Sequence, residues 1–350
     1  MKVLYLYAEV MGYTEATLKE LESNGSELHV INWDKKKLTP HKLQNNNNIN
    51  FYLRSSLTTF ELIKLVKSIN PDCVVVSGWM DYGYLRASRV ALNTLSIPVV
   101  CCLDAQWNNT LKQYIARIIS KTGLLKKFFT HIWVCGAYQY EYARKLNFLK
   151  NEIIFDLYSA DVSLFHKSFI ENKETKAMLY PKKFIYVGRF EPVKNIDLLL
   201  EVWNEIKHQR AGWNLTLIGD GSMKNKLQDV DDICIKEFLT PSELAEEVKT
   251  SGCFILPSRY EPWGVVLHEF TAAGLPIICS DICGASTSFV ITGKNGYKFK
   301  SNCKKSLAEK ILKIISSTDN ELNNMSKTSY SLSKRISPKT SAANLLSLFD

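Results

Sequence analysis

Short runs of β-branched and aromatic residues alternate with stretches of helical spacing from the first residue to about residue 300. In the first half the runs are KVLYLY, ELHVIN, DCVVVS, PVVCCL, HIWVC and EIIFDLY. In the second they are KKFIYV, NLTLIG, ICI, CFILP, PIICS and GYKF. Runs this short and this continuously apolar are buried on both faces, which a parallel sheet covered by helices provides. Two such series, parted by the polar segment HKSFIENKETKAMLYPKK, predict an α/β protein of two doubly wound, Rossmann-like domains facing a cleft. The expected boundaries are a first domain over 1–165, a linker over 166–183 and a second domain over 184–335. A closing helix within 336–350 is placed back against the first domain. The segment DKKKLTPHKLQNNNNIN reads as a flexible surface excursion.

Composition narrows the class. With 350 residues, 46% of them hydrophobic, the chain can build two cores. No apolar run reaches the roughly 18 residues of a membrane span. The opening MKVLYLYAEV is interrupted by Glu9 too early for a signal peptide and reads as a buried strand. Nine cysteines without a CxxC pair argue against a disulfide framework or a zinc site, and point to the reducing cytoplasm. Positive charge is concentrated early. Residues 1–150 carry 19 Lys or Arg against 11 Asp or Glu, and the remainder carries 25 against 24. Between 105 and 140, Lys112, Arg117, Lys121, Lys126 and Lys127 interleave with Ile, Leu and Phe, with no acidic residue. Two readings stand for 112–127: a surface resting on an anionic membrane, or a solvated helix face. No nucleic-acid motif accompanies the charge, so nucleic acid is not expected as a partner.

In open α/β sheets, ligands bind outside the carboxyl ends of the strands. Two loops of the second half lie there. GRFEPVKNID follows KKFIYV and offers Arg189, a fork of donors, and Lys194, a point charge, with Asn195 as the expected cap of the next helix. That pair suits a diphosphate, although a solvated loop reads the same way. SRYEPWGVVLHEFTAAG follows CFILP. Gly264 leaves the amides of Val265 and Val266 open at a helix N-terminus, which favours an anion. Glu269, about one turn into that helix, and Glu261, before the turn, would bracket the anion and accept hydrogen bonds from hydroxyls. A nucleotide sugar has that layout.

From about 184 to 300 these segments, with LTLIGDGSMKNKL and GASTSFVITGKNGYKF, resemble the retaining glycosyltransferases of family 4, which have the GT-B fold. LYSADVSLF resembles the family's exit from its first domain. The resemblance implies that Arg189 and Lys194 bind the donor diphosphate and that the amides from Gly264 to Val266 bind its phosphates. It implies further that Glu269 binds the ribose, that Glu261 binds the transferred sugar, and that Phe238 and Leu239 pack on the base. The expectation that follows is a UDP-sugar before a GDP-sugar as donor, and as acceptor a glycan or lipid-linked sugar of bacterial surface polysaccharide or lipopolysaccharide synthesis. No metal or other cofactor is expected.

The first half departs from the family pattern. Where members often carry a histidine near the donor sugar, this chain has Asp104, which either replaces it or binds the acceptor. The loop after the first strand has only Gly12 where many members have two glycines. The six histidines are isolated along the chain and read as structural, with the role of His268 open. Asp229 to Asp232 spell the Asp-x-Asp of metal-dependent transferases, but they precede a strand and read as a solvated turn. No GxGxxG follows the first strand, which argues against a dinucleotide dehydrogenase. Two alternatives remain: a sugar-nucleotide 2-epimerase of the same fold, and a non-catalytic nucleotide-sugar-binding scaffold.

Overall fold

The computed structural model describes residues 1–34, 48–227 and 233–349. The acidic turn Asp229–Asp232 lies outside the described residues, as does most of the loop expected over 34–50.

The chain divides into two compact units, residues 1–159 with 336–350, and residues 160–335. The first contains strands β1 (Lys2–Tyr7), β2 (Glu27–Asn32), β3 (Ile49–Leu53), β4 (Cys73–Val76), β5 (Val99–Leu103), β6 (His131–Val134) and β7 (Ile153–Ile154). They form one sheet in the order β3-β2-β1-β4-β5-β6-β7, with every pair parallel. The second unit contains β8 (Lys183–Val187), β9 (Asn214–Ile218), β10 (Ile233–Lys236), β11 (Cys253–Leu256), β12 (Ile277–Ser280) and β13 (Gly296–Phe299). Their order is β10-β9-β8-β11-β12-β13, again all parallel.

Each sheet reverses its direction of growth once, between β1 and β4 in the first and between β8 and β11 in the second. At such a switch point the two flanking loops part and leave a crevice at the carboxyl edge. Strands β4, β5, β11 and β12 are buried at every position, as their unbroken apolar runs predict. Val74, Val76, Cys101, Ile132 and Val134 anchor the core on one face of the first sheet. Helix starts follow local chemistry. Thr58 with Glu61, Thr110 with Gln113, and Thr240 with Glu243 each close a capping box.

The structure corrects three sequence expectations. Ile49–Leu53, whose first two residues were read as the end of a loop, is the edge strand β3 paired with β2. The expected linker over 166–183 is mostly helix, Ser163–Met178, and belongs to the second unit. That helix buries Phe165, Ser168, Phe169 and Lys176. The Lys176 ammonium donates to the carbonyls of Val248 (3.1 Å) and Ser251 (2.9 Å), so a polar sequence still packs. The first unit accordingly ends at Ser159 rather than 165. The last helix, Pro338–Leu346, is part of the first unit, where Asn344 Nδ2 donates to Phe155 O (3.1 Å) and Asp156 Oδ2 (3.0 Å). Among the described residues, no helix is long and apolar enough to cross a membrane.

Candidate active site at the carboxyl edge of the second sheet

Strands β8 and β11 are neighbours at the switch point, and the loops that leave them carry most of the expected site residues. The two loops are tied by a backbone hydrogen bond from Arg259 N to Val193 O (2.8 Å). The loop after β8 turns through Gly188 to Arg189, then forms a short 3-10 turn, Pro192–Lys194, before the helix Ile196–Glu205. Asn195 sits at the N-cap position in a left-handed conformation, but its side chain makes no capping bond. It accepts from Arg259 Nε (2.8 Å) and donates to Pro257 O (3.2 Å), so it braces one loop against the other.

That brace sets the position of Lys194. Its ammonium donates to Glu261 Oε2 at 2.6 Å, and Ser258 Oγ donates to the same oxygen at 2.9 Å. Both charged side chains are largely buried. Arg189, in contrast, is exposed, with no carboxylate in ion-pair range among the described residues. The edge of the sheet therefore carries one cation held in a carboxylate's grip and one left open.

Gly264 precedes the helix Val265–Ala272 at φ 90°, in the left-handed region. A Cβ there would lie 3.0 Å from Glu261 Cγ and 3.3 Å from Cys283 Sγ, so only glycine turns the chain without displacing Glu261. No side chain caps the helix, which leaves its first amides for a ligand. The turn is braced from below by Gly284 N donating to Glu261 O (3.1 Å) and Ala285 N donating to Trp263 O (2.8 Å).

Glu269 is half-buried on that helix, and its pKa is raised to about 7, chiefly by burial, with Asp161 adding repulsion. His268 beside it is fully buried and lies 4.2 Å from Phe289 in a stacked arrangement. Its Nδ1 accepts from Ala160 N (3.3 Å) and its Nε2 donates to Ser333 O (2.9 Å). Burial lowers its pKa to about 4, so the ring is neutral and structural. That answers the open question about His268.

Phe238 and Leu239 follow β10 on the same carboxyl edge, with the Phe238 ring exposed. Sequence reasoning gave no role to Gly219–Ser222, the loop after β9. It folds onto the loop after β8, with Phe190 N donating to Asp220 O (2.8 Å) and Ser222 Oγ donating to Glu191 Oε2 (2.7 Å). A Cβ on Gly219 would come within 2.0 Å of Gly188 O. The glycines in LIGDGS were the available signal. Ser258 carried none, because its role depends on where Glu261 turns.

The two remaining candidates stand in the first unit. Gly12 opens the helix Gly12–Ser23 after β1, with no side chain capping the helix start. Asp104 follows β5 and takes a hydrogen bond at 3.5 Å from the Tyr158 hydroxyl, whose ring packs 4.7 Å from that of Tyr13. Asp104 is open to solvent, yet the protein around it removes enough water to push its carboxyl above its ordinary value.

Two family models match the chain. One, described as glycosyl transferases group 1, spans residues 168–332, and the other, described as glycosyl transferase 4-like, spans 2–104. An uncharacterized glycosyltransferase of Methanocaldococcus jannaschii is 31% identical over 144 residues, 39% of this chain and 38% of that protein. The amylovoran biosynthesis glycosyltransferase AmsD of Erwinia amylovora is 26% identical over 232 residues, 63% of this chain and 62% of its own length. The chain thus spans less than two thirds of either curated relative. Anabaena Alr3699/HepE, solved in complex with UDP, superposes with a TM-score of 0.74 at 14% identity, covering 100% of this chain and 99% of that one. At that identity the likeness is one of fold.

Proposed function

We infer that the chain belongs to the glycosyl transferases group 1 family, whose model matches residues 168–332, and that its two parallel-sheet units make the GT-B fold. From that membership we propose that it moves a sugar from a nucleotide diphosphate sugar, UDP before GDP, to a glycan or lipid-linked acceptor, with retention at the anomeric carbon. The observation that carries the reading is the grouping of Arg189, the Lys194–Glu261 pair and the uncapped helix after Gly264 on neighbouring loops.

In this reading Arg189 and Lys194 take the diphosphate, and the amides of Val265 and Val266 take a phosphate oxygen. Glu269 accepts from the ribose hydroxyls, Phe238 and Leu239 pack on the base, and Glu261 accepts from the transferred sugar. In the first unit, Asp104 takes the place of the family's histidine or binds the acceptor, and Gly12 belongs to donor binding. The bond from the anomeric carbon to the phosphate oxygen breaks, and the acceptor oxygen bonds to that carbon on the same face. The acceptor's proton passes to the departing phosphate oxygen. Fixed cations and amides stabilise the charge that develops there, and each such donor is worth about 10²–10³ in rate by analogy with oxyanion holes. The same cations fill the role a metal ion would have, so transfer is metal-independent. The setting is the cytoplasm, at the inner face of a membrane, in surface polysaccharide or lipopolysaccharide assembly. The amylovoran biosynthesis relative and the UDP complex of HepE support this reading.

The test is a thermal-shift panel of UDP, GDP, ADP, CMP and their common sugars, with and without EDTA. Stabilisation by UDP, unchanged by EDTA and lost in Lys194→Ala, is the expected result. No shift with any nucleotide would overturn the reading in favour of a scaffold. Conversion of a nucleotide sugar to its 2-epimer without acceptor would replace it with an epimerase.

A further inference from the structure

The helix Leu111–Lys121 is amphipathic in the reverse of the usual sense. A surface helix ordinarily turns its apolar stripe toward the core and its charges toward water. At about 100° per residue, positions 111, 115, 118 and 119 share one arc, and 113, 116 and 120 share the opposite one. The second arc is the one that faces the protein. Ala116 packs against the core of the first unit, Gln113 Nε2 donates to Gln106 O (2.6 Å), and the buried Ser120 hydroxyl donates to Leu146 O. The apolar arc is left in water, with Leu111 76% exposed, Ile118 66%, Ile115 48% and Ile119 42%. Leu124 extends it beyond the helix end, and Tyr114, packed 5.0 Å from the Trp107 ring, borders it. Single exposed aliphatics are ordinary, but four on one arc of one helix form an interaction surface.

The charge around the stripe selects the occupant. Lys112 lies on one flank and Lys121 on the other, Arg117 lies beyond Lys121 toward the protein-facing arc, and Lys127 follows. Among the described residues none of these four has a carboxylate in ion-pair range, whereas Lys126 is held by Glu152 at 2.7 Å. Two copies of the chain meeting stripe to stripe would set these cations against each other. An anionic lipid surface would neutralise them while its acyl boundary accepts Leu111, Ile115 and Ile118, and tyrosine at the rim suits the headgroup level.

We propose that the helix Leu111–Lys121 lies in the plane of an anionic membrane and is the surface by which this protein docks there. The transfer reading supplies only the biological reason for docking. Vesicle binding needs neither donor nor acceptor, so the two readings stand or fall separately.

Co-sedimentation of the full chain with phosphatidylglycerol/phosphatidylcholine vesicles tests it, with pure phosphatidylcholine as the comparison. The expected result is binding to the anionic vesicles at low salt, lost at high salt and weak on pure phosphatidylcholine. Ile115→Glu/Ile118→Glu should weaken binding by at least about tenfold. Lys112→Ala and Lys121→Ala should each weaken it about fivefold. All four sites are exposed, so unchanged thermal melts are expected for every variant. No binding to anionic vesicles at low salt overturns the proposal. So does binding that the isoleucine pair does not affect, or a dimer in light scattering that the same pair dissociates.

Discussion

Lys194 Nζ and Glu261 Oε2 lie 2.6 Å apart, although 67 residues separate them along the chain. Both belong to loops that leave adjacent strands at the point where the second sheet reverses its order. The pair holds a flexible lysine in one place before any anion arrives, so less side-chain entropy is lost on binding. Arg189, on the same loop as Lys194, has no such partner among the described residues, and in the proposed reading it orders on the diphosphate.

Removing the two partners has unequal effects. Lys194→Ala takes the cation from the largely buried Glu261 carboxylate while the Ser258 hydroxyl still donates to it, and loss of about 1–3 kcal/mol of stability is expected, below the value for a fully buried pair. Glu261→Gln removes the charge that needed a partner and should cost less. In urea titrations of both single variants and the double, the double should resemble Glu261→Gln more than the sum of the two.

The proposed role of Glu269 at the donor's hydroxyls predicts a pH dependence of donor binding. With its pKa near 7, against about 4.5 for an unperturbed glutamate, the folded state holds more protons than the unfolded between those values. Stability contributed by this group therefore falls as pH rises from about 4.5 to about 7. In the proposed role the ionised carboxylate is the stronger acceptor for the donor's hydroxyls. The affinity for UDP-glucose, whose diphosphate does not titrate here, should rise about tenfold from pH 6 to pH 8. Calorimetric titrations should show that rise in the wild type and a flat profile in Glu269→Gln.

Lys176 predicts the opposite slope over a higher window. Burial lowers its pKa from 10.5 to about 7, with Lys183 adding repulsion. Between those values the unfolded chain binds the extra proton, so this group makes stability rise with pH from about 7 to about 10.5. Lys176→Met should flatten that part of the curve in thermal melts recorded across the range, while leaving nucleotide affinity unchanged.

Gly264 should tolerate no side chain. Gly264→Ala introduces a Cβ at 3.0 Å from Glu261 Cγ in a left-handed backbone, and about 1–3 kcal/mol of destabilisation is expected. Because Glu261 must move, nucleotide affinity should fall with it, whereas Gly293→Ala, also at positive φ but with open space around it, should lose stability alone.

The strands were legible because burial on both faces writes itself as an unbroken apolar run, as in CVVV and VVCCL. The loops that carry the candidate residues were legible because they leave those runs at their carboxyl ends. What escaped depends on partners far away in the sequence. Asn195 looked like a helix cap, but Pro257 and Arg259 draw its side chain elsewhere. Residues 166–178, the greater part of the helix Ser163–Met178, looked like linker because one of the helix's buried positions is Lys176, which hides the helical period. Ile49 and Asn50 follow a run of asparagines and were absorbed into the loop before them, which hid the start of strand Ile49–Leu53. The outward stripe of Leu111–Lys121 had a clear amphipathic pattern, but which face met the protein was not written in it.

The central claim is that the loops after β8 and β11 clamp a nucleoside diphosphate through fixed positive charge. Isothermal titration of UDP into the wild type, Arg189→Ala and Lys194→Ala, with EDTA present throughout, tests it most directly. Saturable binding to the wild type, weakened about 10- to 100-fold in each variant, is the predicted result. Equal affinity in all three proteins would contradict it, because the diphosphate would then rest on neither cation.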